Sequence, residues 1–220
     1  MSSPRAALAL LCFLTPFLAT AAASSPTLPA LKVSADQRFL VTEAGAPFFY
    51  LGDTAWELFH RATREEAIAY LDTRQKQRFN VVQAVALAEL DGLTAPNAYG
   101  DLPLVDLDPL RPAITPGSDP RDAAAYDYWD HVDFIVAEAN RRGLYICLLP
   151  TWGAWAPHDK KQDPKIVFDE AKAEKFGEFL ARRYRGRGVI WAVGGDRSAD
   201  GVEGIWRAMA RGIARGASDR

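Results

Sequence analysis

Cysteine and histidine are scarce in this chain of 220 residues, with two of the first and three of the second. Cys12 falls in a leader-like stretch and Cys147 inside an apolar run, so no internal disulfide is expected. His60, His131 and His158 are far apart and no Cys/His cluster accompanies them, which argues against a metal centre. The glycines at 194, 195, 201 and 204 do not fall in a GxGxxG pattern, and no GxSxG elbow occurs. A dinucleotide site and an esterase nucleophile are therefore not expected, and no cofactor is assigned. An excess of positive charge is also missing. With 26 Lys and Arg against 28 Asp and Glu, the net charge is -2. That balance excludes a nucleic-acid binder working through phosphate contacts, and no basic block suits an anionic membrane. The one strongly apolar stretch at the N-terminus, residues 6–18, is too short for a comfortable transmembrane helix.

What is present begins with an export signature. Arg5 supplies the positive start, 6–18 the apolar part, and 20–23 a small-residue region. Residues 1–23 are read as a signal peptide and 24–30 as a linker, giving a periplasmic or secreted protein with no membrane contact after cleavage. Hydrophobic residues make up 49% of the chain, enough for one sizeable core.

Four apolar runs follow, at 48–51, 81–87, 144–149 and 189–193, and each ends abruptly in polar or aromatic residues. Runs without alternation suit strands buried on both faces, as in a parallel sheet. Helical patterns separate them. Thr63 with Glu66 forms a capping box opening the first helix. The second is expected over 123–142, with Gly143 as its exit. The third starts near Asp169, and the fourth is signalled by Asp200 with Glu203. Short strands at 31–33 and 39–42 precede this series as a β-hairpin. The βαβαβαβα order predicts an α/β fold of (β/α) TIM-barrel type with only the first four βα units, and with polar chemistry at the strands' carboxyl ends. A sheet of this kind with open edges invites pairing. The runner-up architecture is a doubly wound module binding a nucleotide or phosphate near Gly194 and Gly195.

The strand ends supply the candidate residues. Two glycines before Asp196 let the backbone turn tightly, and a carboxyl group there suits a general acid for glycosidic cleavage. By composition alone, Asp196 equally suits a turn cap or a partner of Arg197. Asp53 ends the first run, and Glu89 and Asp91 follow the second. Trp56, Tyr99, Trp152 and Trp155 fall in strand-end loops, where aromatic faces suit sugar rings. His158, beside Asp159, lies in the third strand-end loop. Trp129, Trp191 and Trp206 fit core positions better. The proline-rich stretch 90–118 is a long loop of the kind that carries function.

Four stretches resemble the apiosidase-like glycoside hydrolases (glycoside hydrolase family 140). They are 48–87, beginning FFYLGDTAW; 96–104, PNAYGDLPL; 128–153, ending LLPTWG; and 183–197, ending VGGDR. Their order and spacing carry the resemblance, which runs from about residue 31 to 209. It implies a TIM-barrel catalytic domain acting on plant or pectic polysaccharide side chains, with apiose or a related sugar released. It places the acid/base carboxylate on Asp196. The substrate-binding set is Asp53, Trp56, Glu89, Asn97, Tyr99, Trp152, Trp155, His158 and Arg197. The expected partner is an oligosaccharide or polysaccharide, and no feature sets an oligomeric state. In the family a second carboxylate, a Glu, comes from a later strand near the seventh, with no counterpart in these 220 residues. The expectation is therefore a glycosidase-like chain with little hydrolysis of its own. A non-catalytic carbohydrate-binding remnant of the same fold is the alternative.

Overall fold

The computed structural model describes residues 28–156, 167–195 and 197–218. The expected leader and most of the linker lie outside them, as do His158, Asp159 and Asp196. Two sheets organise the described residues. The smaller is antiparallel, with strands β1 (Leu31–Val33), β2 (Leu40–Thr42) and β3 (Pro47–Phe48) in that order. The Ser34 hydroxyl accepts from the backbone N–H groups of Arg38 and Phe39, which fixes the first turn. The larger sheet is parallel, and its strands follow chain order: β4 (Gly52–Thr54), β5 (Val81–Val85), β6 (Tyr145–Leu149) and β7 (Val189–Trp191). Five helices accompany it: α1 (Leu58–Arg61), α2 (Arg64–Lys76), α3 (Tyr128–Arg141), α4 (Glu170–Arg183) and α5 (Glu203–Ala217).

The first apolar run departs from expectation. Phe48 pairs with Leu40 in the small sheet, and residues 49–51 run on exposed before the parallel strand begins at Gly52. The reason lies in Phe48, whose ring sits edge-on against Tyr145 at 5.2 Å between centroids. Its hydrophobic contact is with the underside of the larger sheet. The second helix starts at Tyr128 and not near Ala123. The Asp127 carboxylate accepts from the backbone N–H groups of Trp129 and Asp130, and Asp130 reciprocates to the Asp127 N–H. That capping box sets the start. The box expected at Thr63 and Glu66 is present at 3.2 and 2.9 Å. At α5 Asp200 is not the cap; the helix opens after Val202 with no side-chain cap.

Alternation along the strands separates two apolar layers. Val82, Ala84, Ile146 and Leu148 pack with all five helices on one face. Val81, Tyr145 and Cys147 turn to the other face, where Leu28, Leu31, Phe48 and Ile190 meet them. A doubly wound sheet carries helices on both faces. Here every described helix lies on one, so the doubly wound alternative is set aside. Each large aliphatic side chain fully buried in the helix layer contributes about 1.5–3 kcal/mol. Close approach of α4 and α5 depends on glycine: a Cβ on Gly212 would overlap the Glu174 carbonyl, and one on Gly216 would press the Glu178 carbonyl. Arg211 and Arg215 then reach across to Glu174 and Glu178.

Candidate functional site

Backbone and side-chain bonds tie the carboxyl ends of all four parallel strands together. Beyond β4, the Ala55 N–H donates to the Gln83 carbonyl at 2.8 Å. Past β5, the Ala86 N–H donates to the Leu149 carbonyl at 2.8 Å, and past β7 the Ala192 N–H donates to Leu148 at 3.2 Å. The loop after β6 makes a short helical turn, Gly153–Trp155. Its Trp155 indole N–H donates to the Ala88 carbonyl at 3.4 Å, linking the β6 end to the β5 end. The Trp56 and Trp152 rings meet edge-on at 5.1 Å, linking the β4 and β6 ends.

The β7 end joins the same group. A side chain at Gly195 would run into the six-membered ring of Trp152, so only glycine allows this contact. A Cβ at Gly153 would in turn meet Arg197 Cβ and Cγ at 2.6 Å. The residues on either side of position 196 therefore sit against Trp152 and Gly153, on the rim that carries the indoles. Trp206 of α5 backs Gly194 from the helix side.

The expected contact residues fall into different roles. Trp152 and Trp155 are 1% and 5% exposed, so they pack the rim and offer no open face to a ring. This corrects the expectation of sugar platforms there; the loops bury each other's aromatics. Trp56 is partly exposed, as is Glu89 at the β5 end, and Arg197 is exposed. Asp53 is also corrected. It is in register with Val82 and its side chain takes the helix-layer direction. There its carboxylate accepts from the Tyr70 hydroxyl at 2.6 Å and pairs with Arg74 of α2. Partial burial works against ionisation, but Tyr70, Arg74 and the Thr54 backbone outweigh it and hold the carboxyl below its ordinary value.

Asn97 is buried, and its Oδ1 accepts from the backbone N–H groups of Tyr99 and Asp101, both at 2.9 Å. The Tyr99 hydroxyl accepts from the Arg64 N–H at the start of α2, and its ring packs on Tyr126 and His131. Both residues thus shape the long loop after β5 and fasten it to the helix layer. His131 is fully buried with Nε2 2.9 Å from the Ala62 carbonyl, and burial pushes its pKa down to about 4. It is a neutral structural group.

One constellation was missed from sequence. Glu57 follows Trp56 directly and holds His60 Nδ1 at 2.9 Å and Arg61 Nε at 3.2 Å through one carboxylate oxygen. The other oxygen accepts from the Leu90 N–H at 3.3 Å, and His60 Nε2 lies 3.1 Å from the Ala95 carbonyl. The i,i+3 and i,i+4 spacing of an acid with a histidine and an arginine was the available signal. Among the described residues no group of three or more His, Cys, Asp or Glu is placed to hold a metal, and no helix is long and apolar enough to cross a membrane.

Comparison with known proteins agrees with this geometry. Curated protein sequences return no match. Among solved structures, a glycoside hydrolase family 5 protein from Bacteroides vulgatus is 34% identical, with a TM-score of 0.67. The match covers 83% of this chain and 36% of that one. A second glycoside hydrolase is 32% identical over 86% of this chain and 38% of its own, also with a TM-score of 0.67. The chain therefore spans little more than a third of the length of these relatives. It has a glycoside hydrolase-like α/β fold. The profile of the apiosidase-like catalytic domain matches residues 34–220, and the chain belongs to that family.

Proposed function

We propose that this chain is an exported, apiosidase-like glycoside hydrolase half-barrel that recognises pectic or other plant polysaccharide side chains. The observation that carries the reading is the convergence of four strand ends on one rim, with Gly195 and Arg197 seated on the Trp152–Gly153 turn. Asp196 between them is the proposed general acid. Trp56 is the proposed sugar-facing aromatic, with Glu89, Arg197 and His158 as polar contacts. Helices confined to one face of a parallel sheet, and a small sheet across the other, support a (β/α) barrel wall closed at its lower end. The leader-like first 23 residues support export.

In the proposed mechanism Asp196 gives its proton to the glycosidic oxygen as the bond to the sugar breaks. Hydrolysis then requires a second carboxyl group, which acts as nucleophile at about 5–5.5 Å separation or as base toward water at about 6.5–9.5 Å. Among the described residues no second strand-end acid is assigned that role, so this four-strand portion by itself is proposed to bind sugar with little turnover. Calorimetric titration with a pectic apiosyl oligosaccharide, run beside a reducing-sugar assay, tests both parts. Binding without turnover is expected, and Trp56→Ala should weaken it roughly tenfold, the size of one aromatic contact. No binding would remove the site; turnover abolished by Asp196→Asn would show that the chain is catalytically complete.

A further inference from the structure

Trp56 lies just beyond β4 and Glu89 beyond β5, and one shielded pair of side chains joins the two segments. The Leu90 N–H donates to one Glu57 carboxylate oxygen at 3.3 Å. The other oxygen holds His60 Nδ1 at 2.9 Å, and His60 Nε2 lies 3.1 Å from the Ala95 carbonyl. The His60 side chain is 4% exposed and that of Glu57 18%, so water competes little for these bonds. The segment they hold is folded on itself. The Asp91 carbonyl accepts from the Thr94 and Ala95 N–H groups at 2.8 and 2.7 Å. Asp91 takes a φ of 62°, the left-handed backbone that this tight turn requires. Residues 89–95 therefore form one compact piece, fastened to α1 near each of its ends.

We propose that Glu57 and His60 are positioning residues: together they latch the loop after β5 onto α1 and so set the spacing between Trp56 and Glu89. Glu57 directly follows Trp56, and Leu90 directly follows Glu89. The Glu57–Leu90 bond thus joins the immediate neighbours of two proposed sugar contacts. The latch is also sensitive to protons. The Glu57 carboxylate and the Ala95 carbonyl are both acceptors, so both contacts are hydrogen bonds only when both ring nitrogens of His60 carry hydrogen. Imidazole changes charge in the mild pH range, and loss of one proton leaves one of the two bonds unmade. The latch therefore loosens as pH rises. The charged groups around the ring are Glu57 and Arg61 of its own turn and Asp91 of the loop, which lines the same pocket. Tyr128 of α3 also lies near Glu57, and burial keeps its hydroxyl neutral. The effect on sugar rests on the proposed function; the latch itself does not.

Hydrogen exchange of the purified chain, read as protection factors at about pH 6 and about pH 8, tests the latch without a sugar. Protection of peptides covering 89–95 should fall about fivefold at the higher pH, the size of one hydrogen bond, while that of 145–149 stays constant. His60→Gln removes the titrating ring and should abolish the difference. Glu57→Gln keeps an acceptor for the Leu90 N–H but loses one for His60 Nδ1, and should abolish it as well. Calorimetric titration with the pectic apiosyl oligosaccharide at the same two pH values reads the positioning. Affinity should fall at the higher pH by a similar factor in the parent and stay level in His60→Gln. Protection at 89–95 that is equal at both pH values in the parent would overturn the inference. So would a difference that persists in His60→Gln, or a loop that loosens while sugar affinity holds. A parent that binds no sugar would remove the proposed function, and the exchange arm would still decide the latch.

Discussion

Strands β6 and β7 are neighbours of similar apolar composition, yet every residue of the first is buried and none of the second is. Strand β6 has a paired strand on each side, the helix layer above and the small sheet below. Strand β7 has β6 on one side and, among the described residues, no strand on the other. Sequence run and final burial therefore part company at the sheet's edges. An apolar run records what a strand is suited to meet, and burial records what it has met.

That contrast is sharpened most strongly by paired truncations. Ile146→Ala in β6 should cost about 2–5 kcal/mol, as buried large-to-small changes do, and Val189→Ala in β7 clearly less. Chemical denaturation measures both; equal losses would mean that the edge is as well packed as the centre. The next effect concerns pH and the helix layer alone. His131 titrates near 6.5 when unfolded and at about 4 when folded, so the unfolded chain binds the additional proton between those values. Stability is complete above pH 6.5 and falls as pH drops toward 4, by up to about 3 kcal/mol. His131→Gln should flatten this slope; an unchanged slope would assign the acid sensitivity to other groups.

Gly212→Ala forces a methyl group onto the Glu174 carbonyl and should cost about 1–3 kcal/mol as α4 and α5 separate. Thermal melts should show this loss while the exchange of β6 amides stays slow; a stabilised variant would contradict the close approach. Thr63→Ala removes one half of a capping box and should cost about 1 kcal/mol, with no change in sugar affinity. Smallest of all is the effect of Asp53→Asn on sugar binding, expected to be nil, because that carboxylate serves Tyr70 and Arg74.

Much of the fold was legible in the residues. Thr63 with Glu66 and Asp169 mark helix starts, and three of the four apolar runs are parallel strands, because local capping and burial on both faces act within a few residues. The first run misled because Phe48 is apolar for the sake of Tyr145, nearly a hundred positions away. Asp53 was read as a substrate contact because it ends an apolar run; Tyr70 and Arg74, one helix later, engage its carboxylate. Trp152 and Trp155 were rightly set at the rim, but only packing decides whether an indole faces solvent or a neighbouring loop. The Glu57–His60 pair was open to reading from its spacing, although its ties to Leu90 and Ala95 depend on how the long loop folds back.

The claim on which all else turns is that the chemistry resides where the parallel strands end. A crystal structure of the chain soaked with a pectic apiosyl oligosaccharide tests it most directly. The sugar is expected over Trp56, with a glycosidic oxygen within hydrogen-bond reach of Asp196. A sugar held instead beneath the sheet, among the residues of the small antiparallel sheet, would contradict it.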